Sequence, residues 1–235
     1  FPVEEVELAE GLVINEIMQN SLAVSDAAGE WIEITNISND NISLNGLILM
    51  DNDGEEHVIS DNDLVVASGG FVVLGANDDP TQNGGVTVDY KYSNFTLSNL
   101  WDEVILAHPS GEILDEVYYD NGGTFPDEMG ASMMLLDPTL DNSLGENWAV
   151  ADIVFGAGDY GTPGEINYQG DCGDSLGDMN GDGAYNVLDV VTLVNCVLVY
   201  NCYENECDGD LNGDGSYNVL DVVILINCVL AESCG

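Results

Sequence analysis

The feature that most constrains this chain is a twelve-residue segment that occurs twice, with the two copies 32 residues apart. The copies read Asp178-Met-Asn-Gly-Asp-Gly-Ala-Tyr-Asn-Val-Leu-Asp189 and Asp210-Leu-Asn-Gly-Asp-Gly-Ser-Tyr-Asn-Val-Leu-Asp221. Each copy has oxygen-bearing side chains at positions 1, 3, 5, 9 and 12 and a glycine at position 6. Calcium prefers about six to eight oxygen ligands, and glycine permits the sharp turn that wraps a short loop around an ion. The repeat therefore predicts two bound calcium ions.

In each predicted loop, the side chains at these positions and the carbonyl at position 7 would surround the ion. The first ligand set is Asp178, Asn180, Asp182, the Ala184 carbonyl, Asn186 and Asp189. The second ligand set is Asp210, Asn212, Asp214, the Ser216 carbonyl, Asn218 and Asp221. Position 9 coordinates directly or through water, and position 12 closes the shell from the start of the helix that follows.

Two features distinguish these loops from an ordinary EF-hand. Position 12 is aspartate rather than glutamate, and residues Gly170–Gly177 cannot form a helix that enters the first loop. Tandem loop–helix halves of this kind, over about residues 172–234, resemble a type I dockerin module. The resemblance implies a cohesin-like partner that is recognised in part by loop positions 10 and 11. Here those positions are the apolar pairs Val187-Leu188 and Val219-Leu220, unlike the hydroxyl-rich pairs of cellulosome dockerins.

The helices that follow the loops are apolar on more than one face. A helical wheel groups one set of residues as the predicted core, namely Val187, Val190, Val191, Val194, Val197 and Leu198. The remaining surface is also largely apolar, which predicts a surface that binds a partner. The predicted partner-binding residues are Val187, Leu188, Leu193, Val219, Leu220, Ile224 and Leu225. The alternative is that this face packs against the rest of the same chain.

All six cysteines lie in the same C-terminal part of the chain, at Cys172, Cys196, Cys202, Cys207, Cys228 and Cys234. An even, clustered count predicts three disulfides and an oxidising compartment. Structural zinc is the alternative, but the sequence has no CxxC pair and no histidine near these cysteines. The repeat relates Cys196 to Cys228 and Cys202 to Cys234, and it leaves the pairing open.

Short strand-like runs separated by Gly, Asn and Asp turns extend from Leu12 to about Val154 and favour a β-sandwich. The predicted strands include 12–18, 31–35, 47–50 and 71–74, and residues 104–107 and 113–118 flank a predicted hairpin turn. Residues 156–177, rich in Gly, Asp and Pro, are predicted to be a linker.

Several of these runs, taken in order, resemble a lamin-tail domain. They are Leu12-Val-Ile-Asn-Glu-Ile-Met18, Glu30-Trp-Ile-Glu-Ile-Thr-Asn36, Ile42-Ser-Leu-Asn-Gly46, Asp102-Glu-Val-Ile-Leu106, Asp115-Glu-Val-Tyr118, Gly130-Ala-Ser-Met-Met-Leu-Leu-Asp-Pro138, Trp148 and Gly161-Thr-Pro-Gly164. The resemblance implies an immunoglobulin-like sandwich over residues 12–167, and in bacterial extracellular proteins such a domain is usually an accessory module. The predicted fold is thus mainly β, with an extended N-terminal segment at 1–11, the sandwich at 12–167 and a small α calcium-binding domain at 168–235.

The charge balance excludes several classes of partner. The chain has 44 acidic residues against a single basic one, Lys91, and a formal net charge of −43. Such a surface repels nucleic-acid phosphates and anionic membranes. No apolar run is long enough to span a membrane, and Phe1-Pro2 resembles a mature terminus left by cleavage. We therefore expect a secreted or cell-surface protein in a salty or calcium-rich medium.

Weaker signals concern modification and catalysis. Three sequons begin at Asn36, Asn41 and Asn94 and are candidates for glycosylation. No nucleophile motif accompanies His57 or His108, and no Gly-rich phosphate loop is present. With so many acids a carboxylate pair carries no glycosidase signal, so we expect no enzyme activity.

Three functions are compatible with the sequence. The first is a calcium-dependent assembly protein whose copies join into an extracellular fibre or layer, through the dockerin-like module and an N-terminal strand that adds to a sheet edge. The second is an accessory subunit of a cellulosome-like, polysaccharide-degrading system that binds a cohesin-like receptor, with Trp31, Trp101 and Trp148 as the available aromatics for carbohydrate. The third is a hydrolase whose site has no recognised motif.

Overall fold

Two β-sheets face each other across an apolar core in the first of two units of the chain, which are Phe1–Asn167 and Tyr168–Gly235. The computed structural model describes residues 10–167, 177–180, 183–199, 209, 211 and 217–231. The predicted N-terminal strand, in residues 1–9, lies outside this range.

The larger sheet has six strands and the smaller has four. In spatial order the larger contains β12 (Trp148–Val150), β11 (Met133–Leu135), β1 (Leu12–Met18), β2 (Trp31–Asn36), β7 (Phe71–Gly75) and β8 (Tyr90–Lys91). The smaller contains β10 (Ile113–Asp120), β9 (Trp101–Ala107), β4 (Ile48–Met50) and β5 (Glu56–Val58). Two short ribbons pair β3 (Ile42–Ser43) with β6 (Val65–Val66) and β13 (Val154–Phe155) with β14 (Asp159–Tyr160). A short helix, α1 (Asp26–Gly29), and a 3-10 turn at Gly145–Asn147 complete the described elements of this unit.

The core between the sheets is built from the inward side chains of both. Ile14, Ile32 and Leu74 come from the larger sheet, while Val104 and Val117 come from the smaller sheet. Side chains alternate across a strand, so one residue in two reaches this core. The predicted strands and the hairpin are confirmed, since β9 and β10 pair antiparallel through the turn between Ala107 and Ile113. The mainly β, immunoglobulin-like fold class is confirmed as well.

The larger sheet is covered on its outer face too, and all six residues of β2 are buried. Trp31 packs there against Phe155, with ring centroids 6.1 Å apart in an edge-on arrangement. Val73 and Val86 belong to the same outer cluster. Residues after Val154 therefore form part of the sandwich, which corrects the predicted linker over residues 156–167.

Two buried glutamates hold this returning segment. Glu16 and Glu33 are directly paired across β1 and β2, and both are completely buried. The Thr162 amide donates to Glu16 at 2.9 Å and the Gly164 amide donates to Glu33 at 2.5 Å, while Ser132 donates a hydroxyl bond to Glu16. Burial raises the pKa of Glu16 to about 7, and burial together with the nearby Glu16 charge raises the pKa of Glu33 well above its ordinary value. The hydrogen bonds that these two carboxyl groups accept therefore fasten the segment to β1 and β2.

The second unit consists of two described helices, α2 (Val187–Val199) and α3 (Val219–Ala231). They share an apolar core centred on Leu193 and Leu225, which also includes Met179, Cys196 and Val222. No described helix in the chain is long and apolar enough to cross a membrane.

The carboxyl pair predicts how the stability of the sandwich depends on pH. Because the folded pKa of Glu16 is about 7 and its ordinary value is 4.5, the folded state retains a proton that the unfolded chain has already lost between these values. The retained proton stabilises the folded state fully below pH 4.5. This stabilisation, on the order of 3 kcal/mol, is lost as the pH rises through 7. Urea unfolding followed by tryptophan fluorescence measures the free energy of unfolding at each pH, since all three tryptophans lie in the sandwich.

The matched variant is Glu16→Gln, which keeps the size and the acceptor but carries no titrating proton. We expect its stability to fall less than that of the wild type over the same pH range, because the Glu16 proton no longer contributes, whereas the titration of Glu33 and the general repulsion among acids still do. Asp63→Asn, at an exposed position, serves as the control and should follow the wild type. Parallel pH curves for wild type and Glu16→Gln would contradict the assignment.

Candidate metal centre and docking surface

The first predicted calcium loop is drawn into a closed turn by its two terminal aspartates. Asp178 accepts a 2.7 Å bond from the Gly183 amide, five residues later. Asp189 accepts bonds from the Asn186 amide at 2.7 Å and from the Asn180 amide at 3.3 Å. Gly183 has a φ of +77°, the left-handed conformation that glycine adopts without strain. Loop positions 1, 3, 6, 9 and 12 are thereby brought together around one centre.

The same contacts recur at the start of both helices. Asn186 accepts a 2.9 Å bond from the Leu188 amide, and Asn218 accepts a 2.8 Å bond from the Leu220 amide. Asp221 accepts a 2.9 Å bond from the Asn218 amide, as Asp189 does from Asn186. Each asparagine thus caps its helix by using one orphan amide of the first turn. The repeat in sequence is a repeat in local structure.

The donor set fits calcium. Asp178, Asp189 and Asp221 are buried, and burying a carboxylate is costly unless a partner offsets its charge. The only lysine, Lys91, pairs with Asp78 at 3.1 Å in the other unit. A hard cation surrounded by carboxylate, amide and carbonyl oxygens would supply the counter-charge.

Five of the twelve predicted ligands, Asp182, Asp210, Asn212, Asp214 and Ser216, lie outside the described residues. Within the described part of the chain, no group of three or more His, Cys, Asp or Glu side chains is assembled to hold a metal ion. The first loop is described at Asp178, Asn180, Ala184, Asn186 and Asp189, and the second at Asn218 and Asp221. The Ala184 carbonyl accepts a 2.7 Å bond from the Asn186 side-chain amide.

The two helices expose apolar residues at equivalent positions of the repeat. Val187 and Leu188 on α2 correspond to Val219 and Leu220 on α3, and all four are exposed. Ile224 is exposed as well. We refer to the exposed apolar residues of α2 and α3 as the docking surface, and its members are Val187, Leu188, Val191, Leu198, Val219, Leu220, Val223, Ile224, Ile226 and Leu230.

Part of the predicted helix orientation is wrong. Leu193 and Leu225, predicted to bind a partner, are completely buried in the helix-pair core. Val187, Val191 and Leu198, predicted as core, are exposed. The helical-wheel prediction treated the polar residues of α2 as facing solvent. Asp189 is instead buried, because it closes the calcium loop. With almost every other position apolar, the sequence had no contrast from which to find the core.

The docking surface also contains residues that the sequence analysis missed. Val191 and Leu198 recur as Val223 and Leu230 in the second copy. This recurrence was the sequence signal that could have identified these residues as exposed, because a duplicated module presents equivalent residues to solvent twice.

The two copies brace each other crosswise. A side-chain carbon at Gly177, just before the first loop, would lie 3.0 Å from Leu225 on α3. A side-chain carbon at Gly209, just before the second loop, would lie 3.0 Å from Leu193 on α2. The glycine that precedes each loop therefore packs against the helix of the other copy.

The described cysteines and sequons give a mixed outcome. No described cysteine is free, and Cys196 is buried in the helix-pair core. Cys172, Cys202, Cys207 and Cys234 lie outside the described residues.

Of the three predicted glycosylation sites, Asn36 is completely buried and donates its amide to the Asp40 and Val66 carbonyls, so the predicted glycosylation there is wrong for the folded protein. Asn41 and Asn94 are exposed.

Comparisons with known proteins agree with this architecture. Residues 7–121 match the family model described as Lamin Tail Domain, and residues 176–230 match the Dockerin type I domain. A crystal structure of a DUF4876 family protein from Bacteroides thetaiotaomicron VPI-5482 is similar with a TM-score of 0.40 and 10% sequence identity, covering 70% of this chain and 74% of that chain. A likeness this weak carries no argument about function. No curated protein matches the chain in sequence.

Both matched families are non-catalytic binding modules, and type I dockerin domains are typically extracellular, bind calcium and bind cohesin partners. The β-sandwich is followed by the first calcium loop and the two capped helices, in the same order as the two family matches. The chain is thus similar to a lamin-tail domain over residues 7–121 and to a type I dockerin domain over residues 176–230.

Proposed function

We propose that this is a secreted, non-catalytic assembly protein that joins a protein partner through its docking surface when both loops hold calcium. The observation that carries the proposal is the paired exposure of apolar residues on α2 and α3, outside the core that forms around Leu193 and Leu225. Single exposed apolar residues are ordinary, but an exposed set that recurs at equivalent positions of two helices is typical of an interaction site.

Calcium would act on this surface through the loops. Asp189 and Asp221 each lie in the first turn of a helix that carries the surface. The ion would offset the buried carboxylates and fix that turn, since Asp178, Asn180, Asp182, Asn186 and Asp189 and the Ala184 carbonyl are the oxygens available to the first site. Without the ion the carboxylates would repel one another, and the contact of Gly177 with Leu225 and of Gly209 with Leu193 would pass the disturbance to the helix of the other copy.

Two ions are proposed, one for each loop, and single substitutions test the number. Asp178→Ala and Asp221→Ala should each reduce the calorimetric stoichiometry from two calcium ions to one, because each removes a carboxylate from a different loop. Chelation should lower the melting temperature of the helices, followed by far-ultraviolet circular dichroism. Asp63→Ala, at an exposed position of the sandwich, is the control. A stoichiometry that stays at two in either loop variant, or melting that ignores the chelator, would contradict the proposal.

The partner is proposed to be another copy, so that the protein assembles end to end into a fibre or layer. Contacts between different surfaces on successive copies do not close unless the rotation forms a ring, and they therefore build filaments. Calcium would favour such contacts by reducing repulsion between subunits whose formal net charge is −43. The alternative, an accessory subunit of a polysaccharide-degrading system, replaces the second copy by a cohesin-like receptor.

The docking surface is tested by Leu188→Gln combined with Leu220→Gln, which makes equivalent positions of both helices polar. In millimolar calcium the wild type should sediment as oligomers in analytical ultracentrifugation. The double variant should raise the dissociation constant by roughly tenfold or more while its helices melt normally. Leu22→Gln, at a leucine of the sandwich that is 66% exposed, is the matched control and should assemble like the wild type.

The sedimentation result also distinguishes a second copy from a cohesin-like receptor as the partner. A wild type that stays monomeric at high concentration rejects self-association. Calorimetric titration with a type I cohesin domain then tests the alternative, and the same double variant should weaken that binding. If neither the cohesin domain nor a second copy binds, the docking surface is not the site of assembly.

We also propose that the six cysteines form three disulfides confined to residues 172–234. The support is that the sandwich contains no cysteine and that no described cysteine is free. Mass spectrometry without reduction should find no alkylated thiol, and reduction should lower the melting temperature of the helices without affecting the sandwich. A native thiol that reacts with iodoacetamide, or a zinc signal, would contradict this proposal.

A further inference from the structure

The smaller sheet of the sandwich carries an aromatic and acidic surface on its outer side. Along β9, Val104 and Leu106 point into the core, so Trp101, Glu103 and Ile105 point outward. On β10, Val117 and Tyr119 belong to the core, so the outward residues are those between and beside them. We call the following set the aromatic–acid face: Trp101, Glu103, Glu116, Tyr118 and Asp120.

The strand register places these residues side by side. Asp120 lies directly opposite Trp101, Tyr118 opposite Glu103, and Glu116 opposite Ile105. Directly opposite residues have Cβ atoms about 4.5–5.5 Å apart, and diagonal neighbours about 7–8 Å apart. An acidic side chain therefore lies next to each aromatic side chain on this face.

Tyr118 is fixed across the sheet. Its hydroxyl donates to Glu116 at 3.2 Å and accepts a 3.3 Å bond from the Asn52 amide group. Asn52 follows β4 on the opposite side of β9 from β10. The side chain of Tyr118 must therefore extend across β9, and Ile105 on the same outer face is buried.

Trp101 is open to solvent in a way that the other tryptophans are not. It is 64% exposed, whereas Trp31 and Trp148 are 1% and 5% exposed. Tyr118 remains 43% exposed despite its two hydrogen bonds. Two exposed aromatic side chains on one sheet face, each opposite a carboxylate in the strand register, mark this face as a candidate binding surface.

We propose that the aromatic–acid face binds an arginine side chain presented by a different protein. Charge complementarity selects a cation, since the carboxylates of Glu103, Glu116 and Asp120 surround the rings and the only lysine of the chain is bonded to Asp78 elsewhere. The partner must be a different protein because this chain contains no arginine. The proposal is independent of the docking surface on the helices.

Arginine suits the face better than lysine. Its planar guanidinium stacks on an indole, where the cation–π attraction is strongest, and its fork of donors matches a carboxylate in the same plane. Glu103 and Glu116 accept hydrogen bonds through one oxygen each, from the Asn52 amide at 3.3 Å and from Tyr118 at 3.2 Å, so these bonds leave their second oxygens to receive a guanidinium. Asp120 keeps its charge beside Trp101, because bonds from Thr124 and Phe125 hold the pKa of this carboxyl below its ordinary range.

The test is a tryptophan fluorescence titration of the full-length protein in saturating calcium. Trp101 is the exposed reporter. The probe is acetyl-Gly-Arg-Gly-amide, and the matched probe carries citrulline, which has the shape of arginine without its charge. Salt of about 0.15 M reduces the general field of the acidic surface to a range of about 8 Å. We expect saturable emission changes with arginine and at least fivefold weaker binding of citrulline.

Two pairs of variants separate this site from general attraction to the acidic surface. Glu103→Gln with Glu116→Gln should weaken arginine binding by roughly fivefold, the loss expected for exposed charged contacts. Asp63→Asn with Glu128→Gln removes the same charge from exposed positions outside the four-stranded sheet and should leave binding unchanged. Trp101→Leu, followed by nuclear magnetic resonance, should weaken binding by about twofold to fivefold.

Three results would overturn the proposal. The first is equal binding of the arginine and citrulline peptides. The second is an equal loss in the two double variants, which would reduce the effect to general electrostatics. The third is a saturable response of Trp101 to a neutral oligosaccharide such as cellohexaose with none to arginine, which would make the face a glycan surface.

Discussion

Almost every feature of this protein depends on how a buried carboxylate is accommodated in a chain with 44 acidic residues and one lysine. An ion pair with Lys or Arg, the usual way to stabilise a buried carboxylate, is nearly unavailable because the chain has only one such residue. Three others remain: hydrogen-bond donors, a retained proton, or a bound cation. Asp159 takes the first, accepting the Leu22 and Ala23 amides at 3.0 and 2.9 Å. Glu16 and Glu33 combine the first with the second, and the loop aspartates are suited to the third.

These solutions also organise the backbone. The donors that satisfy a buried carboxylate come from distant segments, so each acid joins parts of the chain that the strands alone would leave separate. Glu16 and Glu33 attach residues 162–164 to β1 and β2, and Asp115 on β10 accepts the Ile14 amide of β1 at 2.6 Å. Buried acidic side chains thus connect the two sheets, whereas the exposed acidic residues repel one another.

The two units use the same chemistry for different ends. In the sandwich, the donors that satisfy Glu16, Glu33 and Asp159 belong to the protein itself. In the C-terminal unit the buried aspartates sit at the first turns of helices whose apolar residues face solvent. Under the proposed function, occupancy of the loops would be a condition for presenting those residues. The sandwich carries the exposed Trp101 and Tyr118 on the outer side of its smaller sheet, and the further proposal makes them a second surface for a partner.

The sequence by itself determined the features that depend on local spacing. The calcium loops are predicted from oxygen ligands at fixed intervals, the helices from the apolar residues that follow each loop, and strands such as Leu12–Met18 from short apolar runs between turns. Only the tertiary structure decided which apolar residues are core, because in α2 and α3 nearly every position is apolar and the buried aspartate reverses the polar signal. The roles of Glu16, Trp101 and Tyr118 were likewise undetermined. Their environments are set by cross-strand register and by segments more than a hundred residues away, such as Thr162 on Glu16, and no local pattern encodes such contacts.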